Sequence, residues 1–177
     1  MRGRDASVVP DNMSPFCGGT LVSPHWIITA SHCTLGGGVA RYRVVLGEWD
    51  RSQVSDTVVR VHEIAEMIKH PRYNPDTFDN DIAMWRLKTP ADLHHFRTIC
   101  LPRPGLQLKN PMTVAGWGVT REGNYDLSTI QQEVSVPVVT SATCKAALGK
   151  FDITDNMLCA GGIKGQDACQ VSVKYFL

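Results

Sequence analysis

The sequence lacks long apolar runs, and no charge of one sign dominates it. Its longest apolar stretches, residues 26–30 and 134–139, are far shorter than the roughly 20 residues of a membrane helix. The net charge is +1, from 18 Lys and Arg against 17 Asp and Glu. No run of like charge is long enough to attract a phosphate backbone or an anionic lipid surface. We therefore expect neither a nucleic acid nor a membrane as a partner.

The start of the sequence also lacks the apolar core of a secretion signal. Residues 1–7 carry positive charge, but Val8, Val9 and Pro10 follow them where a signal peptide has about 7–15 apolar residues. In the sequence as written we expect no signal peptide.

Cysteine is present but never as a C-x-x-C pair, which argues against a zinc knuckle or a redox motif. The six cysteines are spread over the whole length: Cys17, Cys33, Cys100, Cys144, Cys159 and Cys169. They are either disulfide-bonded in an oxidising compartment or free buried thiols in a reducing one. Their spacing alone decides neither that question nor the pairing.

The sequence contains many short runs of strand-forming residues, several of them rich in Val and Ile. These β-type runs cover residues 19–23, 26–30, 42–46, 57–64, 82–87, 112–115 and 133–139. Gly and Pro breakers separate them, as at residues 36–38 and 102–105. Residues 141–148 are the one predicted helix, with Ser141 as its N-cap. This pattern predicts an all-β sandwich or barrel and not an α/β sheet.

Four motifs stand out by their order and spacing. They are FCGGTLVS at residues 16–23 leading to WIITASHC at 26–33, DNDIAMWRL at 79–87, AGWG at 115–118 and MLCAG at 157–161. Together they resemble segments of the chymotrypsin- and trypsin-like serine proteases. In that family the corresponding segments surround the active-site histidine and aspartate, open the second barrel and lead to the specificity pocket. The resemblance runs from about residue 15 to residue 170.

The resemblance implies that His32 is a general base and that Asp81 orients its imidazole. A serine hydroxyl becomes nucleophilic at neutral pH when a neighbouring imidazole takes its proton, and a buried carboxylate keeps that imidazole in one tautomer. For His32 the alternative is a histidine packed under a loop. For Asp81 the alternatives are Asp79 and Asp76, but the place of Asp81 directly before an apolar run favours it.

The family's nucleophile is missing from the position where the resemblance puts it. After Cys169 and Gln170 the family continues Gly-Asp-Ser-Gly-Gly-Pro, whereas this sequence reads VSVKYFL. Val173 replaces the serine, and Val171 replaces the glycine whose amide lines the oxyanion hole. Ser172 lies one position early, and in an extended segment that shift turns a side chain to the opposite face. We therefore expect a truncated, catalytically inactive chain.

The family's activation switch is also missing. Residues upstream of Pro15 match no Ile-Val-Gly-Gly N-terminus, and Ser172 occupies the place of the aspartate that would pair with its ammonium. We expect the first barrel to lack its opening strand.

Asp167 resembles the residue at the base of the specificity pocket in trypsin-like members, where a carboxylate pairs with a substrate Arg or Lys. The alternative is a loop aspartate in a disordered tail. The resemblance implies that an intact parent protein would cleave after basic residues.

The resemblance also implies a disulfide scheme, in which each closed loop contributes roughly 3 kcal/mol of stability. The implied pairs are Cys17 with Cys33 and Cys144 with Cys159. Cys100 resembles the cysteine that ties the family's protease domain to an upstream chain, and we expect it and Cys169 to be unpaired.

We expect no cofactor and no metal ion. A calcium loop of the trypsin kind would start at Glu48, but the later acidic positions are Ser55 and Val58, and hard cations need several oxygen ligands. The other histidines are expected to be solvated or capping side chains. They are His25, His62, His70, His94 and His95.

The expected fold is all-β: a trypsin-like double antiparallel β-barrel, with the first barrel nearly complete and the second partial. Residues 1–14 are expected to lie outside the family, residues 15–105 to form the first barrel, 106–170 the partial second barrel and 171–177 a divergent tail. An unclosed barrel leaves strand edges and apolar faces exposed, so we expect marginal stability.

Two functions from different classes remain open. The first is a serine endopeptidase by family, whose intact parent protein would bind a peptide or protein substrate or a protease inhibitor. The second is a non-catalytic pseudoprotease that acts as a binding module. In both cases the family resemblance implies an extracellular location for the parent.

Overall fold

A computed structural model describes residues 5–10, 15–34, 36, 38–52, 58–106, 108, 110–120 and 126–163. Within these ranges the chain forms a closed six-stranded antiparallel barrel followed by two two-stranded sheets. The barrel strands are β1 (Asp5–Pro10), β2 (Cys17–Ser23), β3 (Trp26–Thr29), β4 (Tyr42–Leu46), β5 (Arg60–Lys69) and β6 (Ala83–Leu87). The later elements are β7 (Met112–Gly116), β8 (Gln132–Val136), β9 (Val138–Val139), helix α1 (Ser141–Ala147) and β10 (Cys159–Ala160).

The barrel has the strand order β1-β2-β3-β6-β5-β4 and closes where β1 pairs with β4. Every second residue of a strand faces the barrel core, as the period of a strand requires. In β6 the inward residues Ala83, Trp85 and Leu87 are buried, whereas Met84 is exposed. This alternation directs the apolar residues of all six strands into one core.

The predicted fold class is confirmed, but the expectation of a missing opening strand is wrong. Strand β1 lies within residues 1–14, which we expected to fall outside the family, and it pairs with β2 on one side and β4 on the other. Ala6 and Val8 are completely or almost completely buried in the barrel. The first barrel is therefore closed.

The barrel core is large and its polar groups are mostly satisfied. Its largest fully buried side chains include Trp85, Phe96, Leu21, Ile27, Leu46 and Ile64. Nε1 of Trp85 donates to Oγ1 of Thr34 at 3.0 Å, and Oγ1 of Thr29 donates to the carbonyl of Gly18 at 2.7 Å. Because a buried polar group without a partner costs about 1–3 kcal/mol, these bonds allow the polar atoms to lie inside an apolar core.

The second half is built from smaller units. Strands β7 and β8 pair from Met112↔Val136 to Gly116↔Gln132, and β9 pairs with β10. Helix α1 begins after Thr140, whose Oγ1 accepts the amide of Thr143 at 3.1 Å, so the N-cap is Thr140 and not Ser141. Within the described part of the chain, no helix has the length and apolar character needed to cross a membrane.

Backbone hydrogen bonds join the second half to the barrel. Asp50 forms a β-bridge with Ile130, and the amide of Arg51 donates to the carbonyl of Thr129 at 2.8 Å. On the other side, Nε1 of Trp117 donates to the carbonyl of Trp49 at 3.2 Å. These contacts hold β7 and β8 against the loop that follows β4.

Candidate active site

His32 lies in a short 3-10 turn, Ser31–Cys33, directly after barrel strand β3. Three contacts fix this turn. The amide of Thr34 donates to the carbonyl of Ser31 at 2.9 Å, Oγ of Ser31 donates to the carbonyl of Ile82 at 2.6 Å, and Cys33 is disulfide-bonded to strand β2. The backbone that carries the imidazole is therefore attached to strand β2 and to the residue that precedes β6.

Asp81 reaches the same place from another strand. Strands β3 and β6 are neighbours with Thr29 opposite Ala83, so the residues that follow β3 meet those that precede β6. Oδ1 of Asp81 accepts the backbone amide of His32 at 2.9 Å, and Oδ2 lies 2.6 Å from Nδ1 of the imidazole. The two carboxylate oxygens thus bind the backbone and the side chain of one residue, which sets the imidazole plane.

This arrangement selects one tautomer of His32. An ionised carboxylate can only accept a hydrogen bond, so Nδ1 carries the proton and Nε2 keeps its lone pair. The His32 side chain is 41% exposed and that of Asp81 only 18%. Chemically, the pair is an oriented base that can take a proton at Nε2 and share the resulting positive charge with a carboxylate.

The surroundings of the pair are aromatic on one side and sulfur-containing on the other. The ring of Phe78 packs edge-on against the imidazole with centroids 5.9 Å apart. Sγ of Cys33 lies 3.5 Å from Nε2. Burial, and secondly the negative charge of Asp81, raise the pKa of Tyr73.

The two alternative carboxylates lie elsewhere. Asp76 is exposed in the loop before β6. Asp79 binds residues from the second half of the chain: its Oδ1 accepts hydrogen bonds from Oγ1 of Thr154 at 2.5 Å and from Nδ2 of Asn156 at 3.0 Å. These hydrogen bonds lower the pKa of Asp79. Of the three aspartates, Asp81 is the one that contacts His32.

The two disulfides that the resemblance implied are present in the structure. They join Cys17 to Cys33 and Cys144 to Cys159. Among the described residues, Cys100 is a free cysteine with an exposed side chain. An attachment of Cys100 to another chain stays a prediction.

The remaining predicted site residues lie outside the described residues. They are Asp167, Cys169, Val171, Ser172 and Val173, so the pocket and the nucleophile position stay predictions from the sequence.

Within the described part of the chain, one group of potential metal ligands lies together: Cys17, His32 and Cys33, with their ligand atoms within 4.8 Å of one another. Metals bind cysteine as the thiolate, and both sulfurs here are in a disulfide. This group is therefore not a metal centre in the structure.

At the start of the family's calcium loop, burial raises the pKa of Glu48. The expectation that no cation binds there stays a prediction.

Sequence reasoning missed one feature of this site and one of the barrel. It did not identify Asp79 as a residue that binds Thr154 and Asn156, because those residues are far away in sequence. It also expected His62 to be solvated or capping, whereas His62 is buried in the barrel. The alternating pattern of β5 places His62 on the same face as Ile64, and this signal was available.

A barrel that brings a histidine and an aspartate together at the ends of neighbouring strands has the architecture of the first half of a serine protease. A family model described as Trypsin matches residues 4–171, a range that includes strand β1. The chain belongs to the trypsin family.

Individual relatives agree with this assignment. The chain is 35% identical to a trypsin of Phaedon cochleariae over 94% of its own length and 69% of that protein. It is 36% identical to cationic trypsin-3 of Rattus norvegicus, covering 88% of the chain and 61% of the relative. It is 37% identical to serine proteinase stubble of Drosophila melanogaster, covering 87% of the chain and 20% of the relative. The chain thus spans less than two thirds of the last two relatives.

Proposed function

We propose that this trypsin-family domain retains the histidine–aspartate dyad of a serine endopeptidase but does not hydrolyse peptides. One observation carries the proposal: Nδ1 of His32 lies 2.6 Å from Oδ2 of Asp81, while the sequence has Val173 where the nucleophile belongs. The dyad can accept a proton at Nε2, but the expected serine hydroxyl is absent. Without that hydroxyl there is no covalent acyl intermediate.

The oxyanion hole supports the same proposal. In this mechanism, loss of the nucleophile alone lowers turnover by about a factor of 10⁶, and the residual rate comes from the oxyanion hole and substrate binding. Val171 replaces the glycine that would supply one oxyanion-hole amide, and the family match ends at this residue. We therefore expect the residual rate to be lost as well.

The test is labelling of the purified chain with a fluorophosphonate, which reacts with activated serines, and an assay on peptides that contain Arg or Lys. We expect neither labelling nor cleavage above background. An active trypsin in the same buffer is the positive control, and the His32→Ala variant controls for contaminating proteases.

Labelling at Ser172 that disappears in His32→Ala would show that the neighbouring serine has been recruited, and it would overturn the proposal. Labelling that persists in His32→Ala comes from a contaminant or a nonspecific reaction, since an unassisted serine has no base to take its proton. Mass spectrometry of the labelled peptide separates these outcomes.

For any form of this domain that carries the nucleophile, we propose cleavage after Arg or Lys. Asp167 is the residue that supports this preference, since a carboxylate at the base of a pocket pairs with a substrate cation. The family acts on peptides and proteins and is generally secreted.

A binding module is the second candidate, and the exposure of the site favours it. Phe78 is 52% exposed beside an imidazole that is itself 41% exposed, so the dyad presents an aromatic surface to solvent. An inactive chain that binds a protein inhibitor of trypsin through this surface would support the candidate. Equal binding by the Phe78→Ala variant would argue against this surface as the binding site.

A further inference from the structure

Asp79 is a charged residue close to the His32–Asp81 dyad in sequence, but it is not part of the dyad. It lies two positions before Asp81, in the loop between β5 and β6, yet its carboxylate binds residues from the other half of the chain. Oδ1 accepts Oγ1 of Thr154 at 2.5 Å and Nδ2 of Asn156 at 3.0 Å, and Oδ2 accepts Nδ2 of Asn80 at 2.9 Å. One carboxylate therefore receives three side-chain donors.

The residues on both sides of Asp79 have positive φ angles. Phe78 has φ of 59° and Asn80 has φ of 55°, in the left-handed region that non-glycine residues seldom occupy. Such a conformation is unfavourable for a bulky residue such as Phe78, whereas asparagine tolerates it, and it persists when the surrounding contacts determine it. Asp79 lies between these two residues, and both oxygens of its carboxylate accept hydrogen bonds. Asp79 can therefore supply the contacts that hold this conformation.

Phe78 and Asn80 both adjoin the dyad. The ring of Phe78 packs against the His32 imidazole, and Asp81 directly follows Asn80. The amide of Ile82 donates to the carbonyl of Asn80 at 2.8 Å, which fixes the turn that presents Asp81. If Phe78 and Asn80 relax to ordinary φ values, the edge-on ring contact and the carboxylate direction both change.

We propose that Asp79 is a positioning residue: by binding Thr154 and Asn156 from the second half of the chain, it holds the loop in the conformation that keeps Asp81 hydrogen-bonded to Nδ1 of His32. The second half of the chain thereby determines the tautomer of a histidine carried by the first barrel. This role concerns the dyad geometry alone and does not depend on whether the chain cleaves peptides.

The experiment uses the full chain labelled with ¹⁵N-histidine and compares Asp79→Ala, Asp79→Asn and Thr154→Val with wild type. Long-range ¹H–¹⁵N correlations from the ring carbon-bound protons report which nitrogen of His32 carries the proton, even where that proton exchanges with water. Asp76→Ala, in the same loop, is the matched control. Far-UV circular dichroism and the chemical shifts of Trp85 check that each variant is folded.

We expect wild type and Asp76→Ala to show His32 protonated at Nδ1. Asp79→Ala should shift the ¹⁵N signals towards a mixture of tautomers, and Thr154→Val should shift them less, since Asn156 still donates. Asp79→Asn should restore much of the wild-type pattern, because an amide oxygen in the same place accepts from Thr154 and Asn156.

A folded Asp79→Ala variant with the wild-type His32 signals would overturn the proposal. So would equal shifts in Asp79→Ala and Asp76→Ala, because that result would assign the effect to the loop in general. If Asp79→Ala does not fold, Thr154→Val, which leaves Asp79 in place, provides the same comparison.

Discussion

His62 is a buried imidazole inside the barrel, and its environment makes the fold sensitive to pH. Its Nε2 has no hydrogen-bond partner among the described residues, and Nδ1 lies 3.5 Å from Oγ1 of Thr89. Burial lowers the pKa of His62, the backbone of Thr89 raises it by a smaller amount, and the charge of Arg60 lowers it further. The neutral form is therefore the one that the folded barrel accommodates.

The pH dependence of unfolding tests this environment. A lowered folded-state pKa means that the unfolded chain binds the proton first, so stability is present above about pH 6.5 and is lost as the pH falls towards the folded-state pKa. We expect urea unfolding to show a smaller loss of stability on acidification in His62→Leu than in wild type. His94→Leu, at an exposed position, should retain the wild-type dependence. An identical pH profile for wild type and His62→Leu would contradict the interpretation.

At the scale of elements, strand β1 shows where local patterns failed. Asp5–Pro10 is short, contains a polar residue at Ser7 and ends in proline, so its sequence gives no clear β signal. Its pairing partners β2 and β4 were both predicted from the sequence. Without β1, each of these two strands would have one unpaired edge. Closing the barrel satisfies both edges at once, which is a tertiary reason for β1 to be a strand.

Gly47, directly after β4, is required by the turn that leaves the barrel. Its φ is +82°, and a Cβ there would overlap the carbonyl oxygen of Val58 and lie 2.8 Å from the ring of the buried Phe96. We expect Gly47→Ala to lower the free energy of unfolding by at least about 2 kcal/mol, because backbone strain and overlap add. A Cβ on Gly36 meets nothing within 4 Å, so Gly36→Ala should change stability by less than about 0.5 kcal/mol. Chemical denaturation measures both, and equal stabilities would refute the steric argument.

At the scale of the whole molecule, the described chain divides into a closed barrel and two small sheets. The barrel shares one core among six strands, whereas β7–β8 and β9–β10 are two-stranded units. An isolated two-stranded sheet is only marginally stable in water. The two halves should therefore differ in local stability.

Hydrogen exchange followed by mass spectrometry measures this difference. We expect the amides of the barrel strands β4 and β6 to exchange at least about tenfold more slowly than those of β7 and β8. The disulfide between Cys144 and Cys159 should leave helix α1 more protected than β7, because its loop is closed covalently. Uniform protection in both halves would show that the second half folds as a unit with the barrel.

The sequence by itself determined the fold class, most of the strands and the dyad pair His32 and Asp81 as candidates. These properties depend on local information: alternation along a strand, turn residues between strands, and motifs whose members are close in the chain. The tertiary structure decided what depends on distant residues. It placed β1 in the barrel, buried His62 and gave Asp79 its partners Thr154 and Asn156. A strand closes a barrel and a carboxylate finds its donors only when the chain folds back, and no local window of sequence contains both members of such a contact.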